Sequence, residues 1–123
     1  MKMDNEEVEK LINKIAEYEI NRNFALWHEE DVKKANKYDR KIDKAFDKIR
    51  EYGDSAREKM TRLFEHENDS VKILAAASLL RYDTERAMAV LKKIAAKDNF
   101  NGFVAAQAIK RWEEGDWHLD PEE

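Results

Sequence analysis

The segment from residue 68 to residue 80 reads NDSVKILAAASLL and places three alanines and a serine inside its most apolar stretch. A helix at a protein surface needs one apolar stripe, but this segment would be apolar almost all round. Such a helix is buried by neighbours on several sides, and small side chains let those neighbours approach without leaving cavities. The segment therefore predicts a central helix, with other helices on both flanks, in an all-α fold.

The first half of the chain predicts a long helical hairpin. Apolar residues recur at helical spacing over residues 8–26, after a capping box that begins at Asp4. Arg22 interrupts that stripe, so we expect the far end of the first helix to be less buried. Residues 28–31 are expected to form a tight connection, with one continuous long helix as the alternative. The second helix has one packed and one charged face and is expected to end at Gly53, which adopts the left-handed cap conformation at little steric cost.

Shorter helices are predicted in the second half of the chain, each starting at a capping residue. The candidate caps are Asp54 for the third helix, Asn68 or Asp69 for the fourth, and Asp83 for the fifth. The sixth helix is expected from about residue 101 to 114. Helices three and four together, and helices five and six together, span about the period of an α-helical repeat array. We therefore predict a six-helix α-solenoid with a longer N-terminal hairpin, forming a single domain over residues 1–115 with an acidic tail at 116–123.

The fourth helix also resembles a known repeat. Its pattern is similar to the HEAT-repeat signature D-x-V-R-x-x-A-A-x-x-L and is made by Asp69, Val71, Lys72, Ala75, Ala76 and Leu79, with Lys72 in place of the usual arginine. Over roughly residues 30–115 the chain resembles a family of short bacterial HEAT-like proteins of unknown function. The resemblance implies stacked helix pairs and gives almost no information about activity.

Composition narrows the functional classes. The 123-residue chain has no cysteine, which excludes disulfides and zinc–thiolate sites. Its net charge is −4, and its last eleven residues hold six acids and no lysine or arginine, which disfavours binding to phosphate backbones. There is neither a signal-peptide core nor an apolar run of membrane-spanning length, so we expect a cytoplasmic location and no membrane partner.

No motif predicts an enzyme, a cofactor or a metal site. His28 and Glu29 begin like the zinc motif H-E-x-x-H, but Val32 stands where the second histidine would be. His66 lies at a predicted helix end, where a histidine commonly has a structural role. The glycine-rich loops that bind nucleotides are also missing from the sequence. We therefore expect no catalytic residue, no cofactor and no bound metal.

Protein binding is the expected function. Stacked helix pairs form an extended surface for a partner, and small acidic HEAT-like proteins resemble immunity proteins, which neutralise a cognate toxin. A negatively charged inhibitor, a monomer when free, would be drawn to a basic toxin domain. The candidate partner-binding residues form two acidic stretches, which are Glu65, Glu67 and Asp69, and then Glu113, Glu114, Asp116 and Trp117.

Two other functions stay open as alternatives. Nucleic-acid binding by a HEAT-like protein needs a basic groove, and the second helix carries six clustered cations with Asp39, Asp43 and Asp47 interleaved among them: Lys33, Lys34, Lys37, Arg40, Lys41 and Lys44. Our expectation is that the chain binds no nucleic acid. An accessory scaffold, similar to the HEAT subunits of bilin lyases, is the other alternative.

The three tryptophans have different expected places. Trp112 has the inward spacing of the sixth helix and is expected in the core. Trp27, at the end of the first helix, is expected to cover the hairpin. Trp117 either folds back to close the last helix pair or serves as an anchor for a partner.

Overall fold

The computed structural model describes residues 5–115, and the secondary structure in that range consists of helices and turns, which confirms the predicted all-α class. The chain divides between Met60 and Thr61 into two compact units, referred to below as the N-terminal and C-terminal units. The elements are α1 (Asn5–Trp27), α2 (Val32–Tyr52), α3 (Asp54–Met60), a 3-10 turn (Thr61–Glu65), α4 (Asp69–Ser78), α5 (Thr84–Ala95) and α6 (Phe100–Glu113).

The N-terminal unit is built on an antiparallel hairpin of α1 and α2. The hydroxyl of Tyr52, at the end of α2, donates to the carboxylate of Glu7 at the start of α1. The rings of Tyr18 and Tyr38 pack with their centroids 6.1 Å apart in the middle of the pair. The expected tight connection is confirmed: α1 ends at Trp27, and the carboxylate of Asp31 caps α2 by accepting from the Lys34 N–H at 3.0 Å.

The packed face of α2 is the one that the sequence predicts. Its buried residues repeat at steps of three and four, and they are Ala35, Ile42, Ala45, Phe46, Ile49 and Tyr52. The helix ends at Gly53, whose φ of 88° lies in the left-handed region that glycine adopts without strain. The Gly53 N–H donates to the Arg50 carbonyl at 3.1 Å, so the predicted stop is confirmed. The cap proposed for α1, Asp4, lies outside the described residues.

In the C-terminal unit, α4 is the central element. Residues 75–80 are all buried, and the helix contacts the 3-10 turn, α5 and α6. Its one polar group in that run, the Ser78 hydroxyl, donates to the Ala75 carbonyl at 2.9 Å, so no hydroxyl is buried without a partner there. The second half of α4 is therefore enclosed by neighbouring elements, as its small residues predict.

The helices of the C-terminal unit alternate in direction. Lys97, just before α6, forms an ion pair of 2.6 Å with Asp69 at the start of α4. Arg81, just after α4, places its guanidinium carbon 5.7 Å from the ring centroid of Trp112 near the end of α6. The starts of α4 and α6 therefore lie together, as do their ends. The two helices run parallel, and α5 returns between them.

Of the caps predicted for α3, α4 and α5, only the one for α3 is wrong. Asp54 is the first residue of α3 and not its cap, because the Gly53 carbonyl accepts from the N–H groups of Ala56 and Arg57 at 3.1 and 3.2 Å. Asn68 caps α4 with a bond of 3.1 Å from the Val71 N–H. Asp83 caps α5, as predicted.

Two further boundaries differ from the prediction. The sixth helix starts slightly earlier than predicted, at Phe100, because Asn99 caps it. The third helix stops at Met60, and Leu63 and Phe64, predicted to continue it, lie in the 3-10 turn. Such tightening of the last turn is common at helix ends.

Candidate functional site

The first predicted acidic stretch surrounds the start of α4. Glu65 ends the 3-10 turn and Glu67 lies in the link that follows, and both are exposed. Asp69 is different, because its side chain is only 16% exposed and is held by Lys97 at 2.6 Å and by Lys72 at 3.8 Å. The Asp69 carboxylate therefore already has two cationic partners within the fold.

The second predicted stretch begins where α6 ends. Glu113 is the last residue of that helix and Glu114 follows it, and both are exposed. Because Asp69 pairs with Lys97 at the start of α6, and this 14-residue helix is about 20 Å long, the two stretches lie at opposite ends of α6. The structure does not bring them together. Asp116 and Trp117 lie outside the described residues.

His66 has a structural contact in the link before α4. Its Nδ1 accepts a hydrogen bond of 3.0 Å from the Asn68 N–H, and its own N–H donates to the Leu63 carbonyl at 3.1 Å. These two bonds hold His66 against the backbone of the link, so the contacts of this residue are local ones. In the range 5–115, histidine and acidic residues form no cluster of three or more that could hold a metal ion.

The exposed apolar residues of α1 form one continuous face, which we call the α1 stripe. It consists of Ile20, Phe24 and Trp27, which are 41%, 55% and 59% exposed. Steps of four and three place these residues one above the other on a helix. The ring of His28 stacks on Phe24 with centroids 4.9 Å apart and extends the face beyond the helix end.

Trp27 does not cover the hairpin as predicted. The link after α1 folds back instead, and the Asp31 N–H donates to the Ala25 carbonyl at 2.8 Å. Ala25 is fully buried at this point, so the end of the hairpin is closed by a small residue and by backbone. The indole of Trp27 is left on the outside. The expectation from Arg22 is confirmed, because the exposed stripe occupies the last turns of α1.

Acidic residues flank the α1 stripe at both ends. Glu17 precedes Ile20 by three residues, and Glu29, Glu30 and Asp31 follow Trp27, all of them exposed. A hydrogen bond from Lys34 to Glu29, followed by the charge of that carboxylate, raises the pKa of Lys34.

Glu30 is the acid of this group with an unusual backbone. It has a φ of 52°, in a left-handed region that residues other than glycine adopt uncommonly. Glu17, at the other end of the stripe, pairs with Lys14 at 3.8 Å. The stripe is an apolar centre with exposed acids at both ends.

A second exposed apolar pair lies in the C-terminal unit. Phe100 and Phe103, in the first turn of α6, are 59% and 61% exposed. The buried residues of this helix are Gly102 and Ala105. Trp112, expected in the core, is half-buried and packs against the cluster that includes Ala76 and Leu91. The aromatic residues of α6 are therefore divided between its two faces.

Comparison with protein-family models, with curated proteins and with solved structures finds no match for this chain. Within residues 5–115, each helix lacks the combination of length and apolar character that crossing a lipid bilayer requires.

Proposed function

We propose that this protein is a non-enzymatic protein-binding module whose partner is basic and docks on the α1 stripe. Exposure of Ile20, Phe24 and Trp27 on one helix face is the observation that carries the proposal. Aromatic residues are enriched in protein interfaces, and most of the binding energy commonly comes from a few of them at the centre. A helix face with two large exposed aromatic rings suits that role.

The size of the stripe supports the proposal. Aromatic side chains can bury about 150–250 Å² each, so at the observed exposures the three residues present on the order of 300 Å² of apolar surface. The largest apolar patch on a typical monomer is about 300–600 Å² and is often functional. The stripe would form the centre of an interface, with polar neighbours at its rim.

Charge is the reason for assigning a basic partner. Glu17 lies at one end of the stripe and Glu29, Glu30 and Asp31 at the other, and the whole chain has a net charge of −4. Complementary potentials accelerate encounter and select the partner more than they add affinity. A cationic rim on the partner would meet carboxylates at both ends of the stripe.

Within this class, the specific function we propose is that of an immunity protein that binds and neutralises a cognate bacterial toxin. The acidic charge and the resemblance of α4 to the HEAT signature support it. A HEAT-like arrangement of the C-terminal unit is part of the proposal, supported by the parallel directions of α4 and α6 with α5 between them. The exposed acids Glu65, Glu67, Glu113 and Glu114 are the alternative partner surface.

The test begins with a partner captured by the tagged protein from cells of its source organism. We expect the captured partner to be basic and to stop growth when it is expressed alone, and wild-type protein to restore growth. The double variant Phe24→Ala/Trp27→Ala should weaken binding by more than about 2 kcal/mol, roughly thirty-fold. The matched control is Phe103→Ala, which removes an equally exposed ring from the C-terminal unit.

Three outcomes would contradict the proposal. Equal losses for the double variant and for Phe103→Ala would show that the effect is not specific to the α1 stripe. An acidic partner would contradict the assignment from charge. Loss of binding on neutralising Glu113 and Glu114, with the α1 variants unchanged, would instead favour the alternative acidic surface. Circular dichroism of each variant would verify that it is folded.

A further inference from the structure

Over residues 33–47, the charged face of α2 separates into two flanks of opposite sign. With 3.6 residues per turn, Lys33, Lys37, Arg40 and Lys44 fall within an arc of about 60°. We call these four residues the basic ridge. The acids that alternate with them in sequence, Asp39, Asp43 and Asp47, recur every four residues and centre on a flank about 90° away. Acids and cations that are interleaved in sequence are therefore largely segregated in space.

The acidic flank is occupied by contacts of its own. Asp39 pairs with Arg22 of α1 at 2.6 Å, and Asp47 pairs with Arg50. Burial, followed by the charges of Asp39 and Asp47, raises the pKa of Asp43, and Arg50 is the cation that opposes this rise. The acids of this flank therefore have their cationic partners in Arg22 and Arg50, and the cations of the basic ridge take no part in these ion pairs.

The basic ridge itself is exposed and unpaired within the described chain. All four side chains are exposed, and none has an ion pair with another residue in the range 5–115. Neighbouring cations, such as Lys33 and Lys37 or Arg40 and Lys44, stand about 6 Å apart along the helix axis. Four like charges in one row repel each other, and a row of carboxylates at the same spacing would relieve that repulsion.

We propose that the basic ridge is a second interaction surface, and that its partner is an acidic α-helix of another protein. Glutamates at successive steps of four, three and four residues on a helix rise by about 6, 4.5 and 6 Å and stay within an arc of about 60°, which matches the spacing of Lys33, Lys37, Arg40 and Lys44. A single helix is also narrow, about 10 Å across, so it can lie along the ridge without meeting the acidic flank. This surface goes beyond the proposed function, because it selects a partner of the opposite charge.

The surroundings of the ridge favour a helix over a nucleic acid. Single strands bind by stacking bases on aromatic rings, but Phe46 and Tyr52 of α2 are buried, and Tyr38 is half-buried with the Lys41 ammonium 5.6 Å from its ring centroid. A duplex presents two rows of phosphates, and one of them would approach Asp39, Asp43 and Asp47. The ridge therefore fits a single narrow row of carboxylates.

A titration of the full-length, ¹⁵N-labelled protein tests the proposal, monitored by amide chemical shifts at about 25 mM salt. The probe, called the regular peptide, is an alanine-based helical peptide with glutamates at successive steps of four, three and four residues. The control peptide has the same composition with its glutamates spread around the helix. We expect shift changes concentrated in residues 33–48 and at least about ten-fold tighter binding of the regular peptide, with clear weakening at about 150 mM salt.

Paired variants locate the binding surface. Lys37→Gln/Lys44→Gln should abolish the preference for the regular peptide. Lys10→Gln/Lys93→Gln removes the same charge from exposed positions outside the ridge and should leave the preference intact. Equal binding of both peptides, or unchanged preference in the ridge variant, would overturn the proposal. If a single-stranded oligonucleotide of equal charge binds more tightly than the regular peptide, the partner of the ridge is a nucleic acid and not an acidic helix. Each of these outcomes is independent of the α1 stripe and its basic partner.

Discussion

Gly102 is a position where a single methyl group should damage the fold. A Cβ atom added there would lie 2.0 Å from the carbonyl oxygen of Lys97 and 3.2 Å from that of Ile94. Both neighbours are backbone atoms at the close turn between α5 and α6, so they cannot rotate away as a side chain would. We therefore expect Gly102→Ala to lower the free energy of unfolding by about 1–3 kcal/mol, measured by chemical denaturation.

The control for Gly102 is Gln107→Ala on the exposed face of the same helix. A surface change of this kind usually stays within about 0.5 kcal/mol. Alanine is normally more favourable than glycine inside a helix. A neutral or stabilising Gly102→Ala would therefore mean that the turn before α6 leaves room for a methyl group.

Asp83 should make the stability of α5 depend on pH. Its carboxylate accepts from the Arg86 backbone N–H and pairs with the Arg86 side chain, and these two bonds lower the pKa of Asp83. Because the folded state holds the lower pKa, the stabilisation is complete above the unfolded value near pH 4. It is lost as the pH falls through the folded value.

The variant Asp83→Asn isolates this effect, because asparagine is also a good N-cap but carries no charge. In thermal unfolding between about pH 6 and pH 2.5, wild type should lose stability more steeply than the variant, and the two should converge at the acid end. Parallel curves would show that the Asp83 carboxylate makes no titratable contribution.

At the scale of the helix, α4 should not accept a larger side chain at its centre. Ala76 is fully buried and belongs to the same cluster as Leu80, Leu91 and Ala105. We expect Ala76→Leu to cost about 1–3 kcal/mol in the free energy of unfolding, because the added methylene groups have no space. The same substitution at Ala106, on the exposed side of α6, is the matched control and should be nearly neutral. Equal unfolding midpoints for the two variants would show that α4 is not enclosed.

The elements differ in how well the sequence predicts them, and the difference has a physical basis. The second and fourth helices are predictable because the apolar period of α2 and the small residues of α4 each allow one packing mode. The 3-10 turn is not predictable from the sequence, because the positions of Leu63 and Phe64 fit a continued α-helix as well as a tightened one. Local spacing alone does not distinguish these two backbones.

The α1 stripe is absent from the sequence prediction for a related reason. Apolar residues recur at steps of three and four in two sets on α1. One set is buried and includes Val8, Ile12 and Ile15, and the other is exposed and consists of Ile20, Phe24 and Trp27, so this spacing does not separate them. At 100° per residue the two sets fall on different faces, which is the signal that could have identified the stripe. Spacing within α1 shows that there are two apolar faces, but it does not show which of them meets α2.

At the scale of the whole molecule, the predicted acidic surface depends on helix directions that local patterns do not encode. Glu65 and Glu67 precede α4, and Glu113 and Glu114 end α6. The two pairs would meet only if α4 and α6 ran antiparallel. The ion pair between Asp69 and Lys97 places the starts of both helices together and so separates the pairs. The net charge of −4 follows from composition alone, and it favours a basic partner at the α1 stripe as much as at the predicted acidic surface.

That charge and the α1 stripe should control different steps of association with a basic partner. Long-range attraction acts before contact, so it sets the association rate and the dependence of that rate on salt. Buried aromatic rings act after contact, so they set the lifetime of the complex. We expect Glu17→Gln/Glu30→Gln to slow association several-fold with little change in dissociation, and Trp27→Ala to accelerate dissociation at least ten-fold, both measured by surface plasmon resonance.

The control for the charge variant is Glu113→Gln/Glu114→Gln, which removes the same two negative charges from the end of α6. If the acids beside the stripe attract the partner, this control should slow association less than Glu17→Gln/Glu30→Gln at about 0.1 M salt, where exposed charges act mainly within about 10 Å. If the two double variants slow association equally, net charge alone attracts the partner and the acids beside the stripe have no special role. If only the α6 variant slows it, the partner approaches the C-terminal unit, and the alternative acidic surface takes the place of the α1 stripe. A slower association confined to the Glu17 and Glu30 variant, together with the short-lived complex of Trp27→Ala, would assign both steps to one surface on α1.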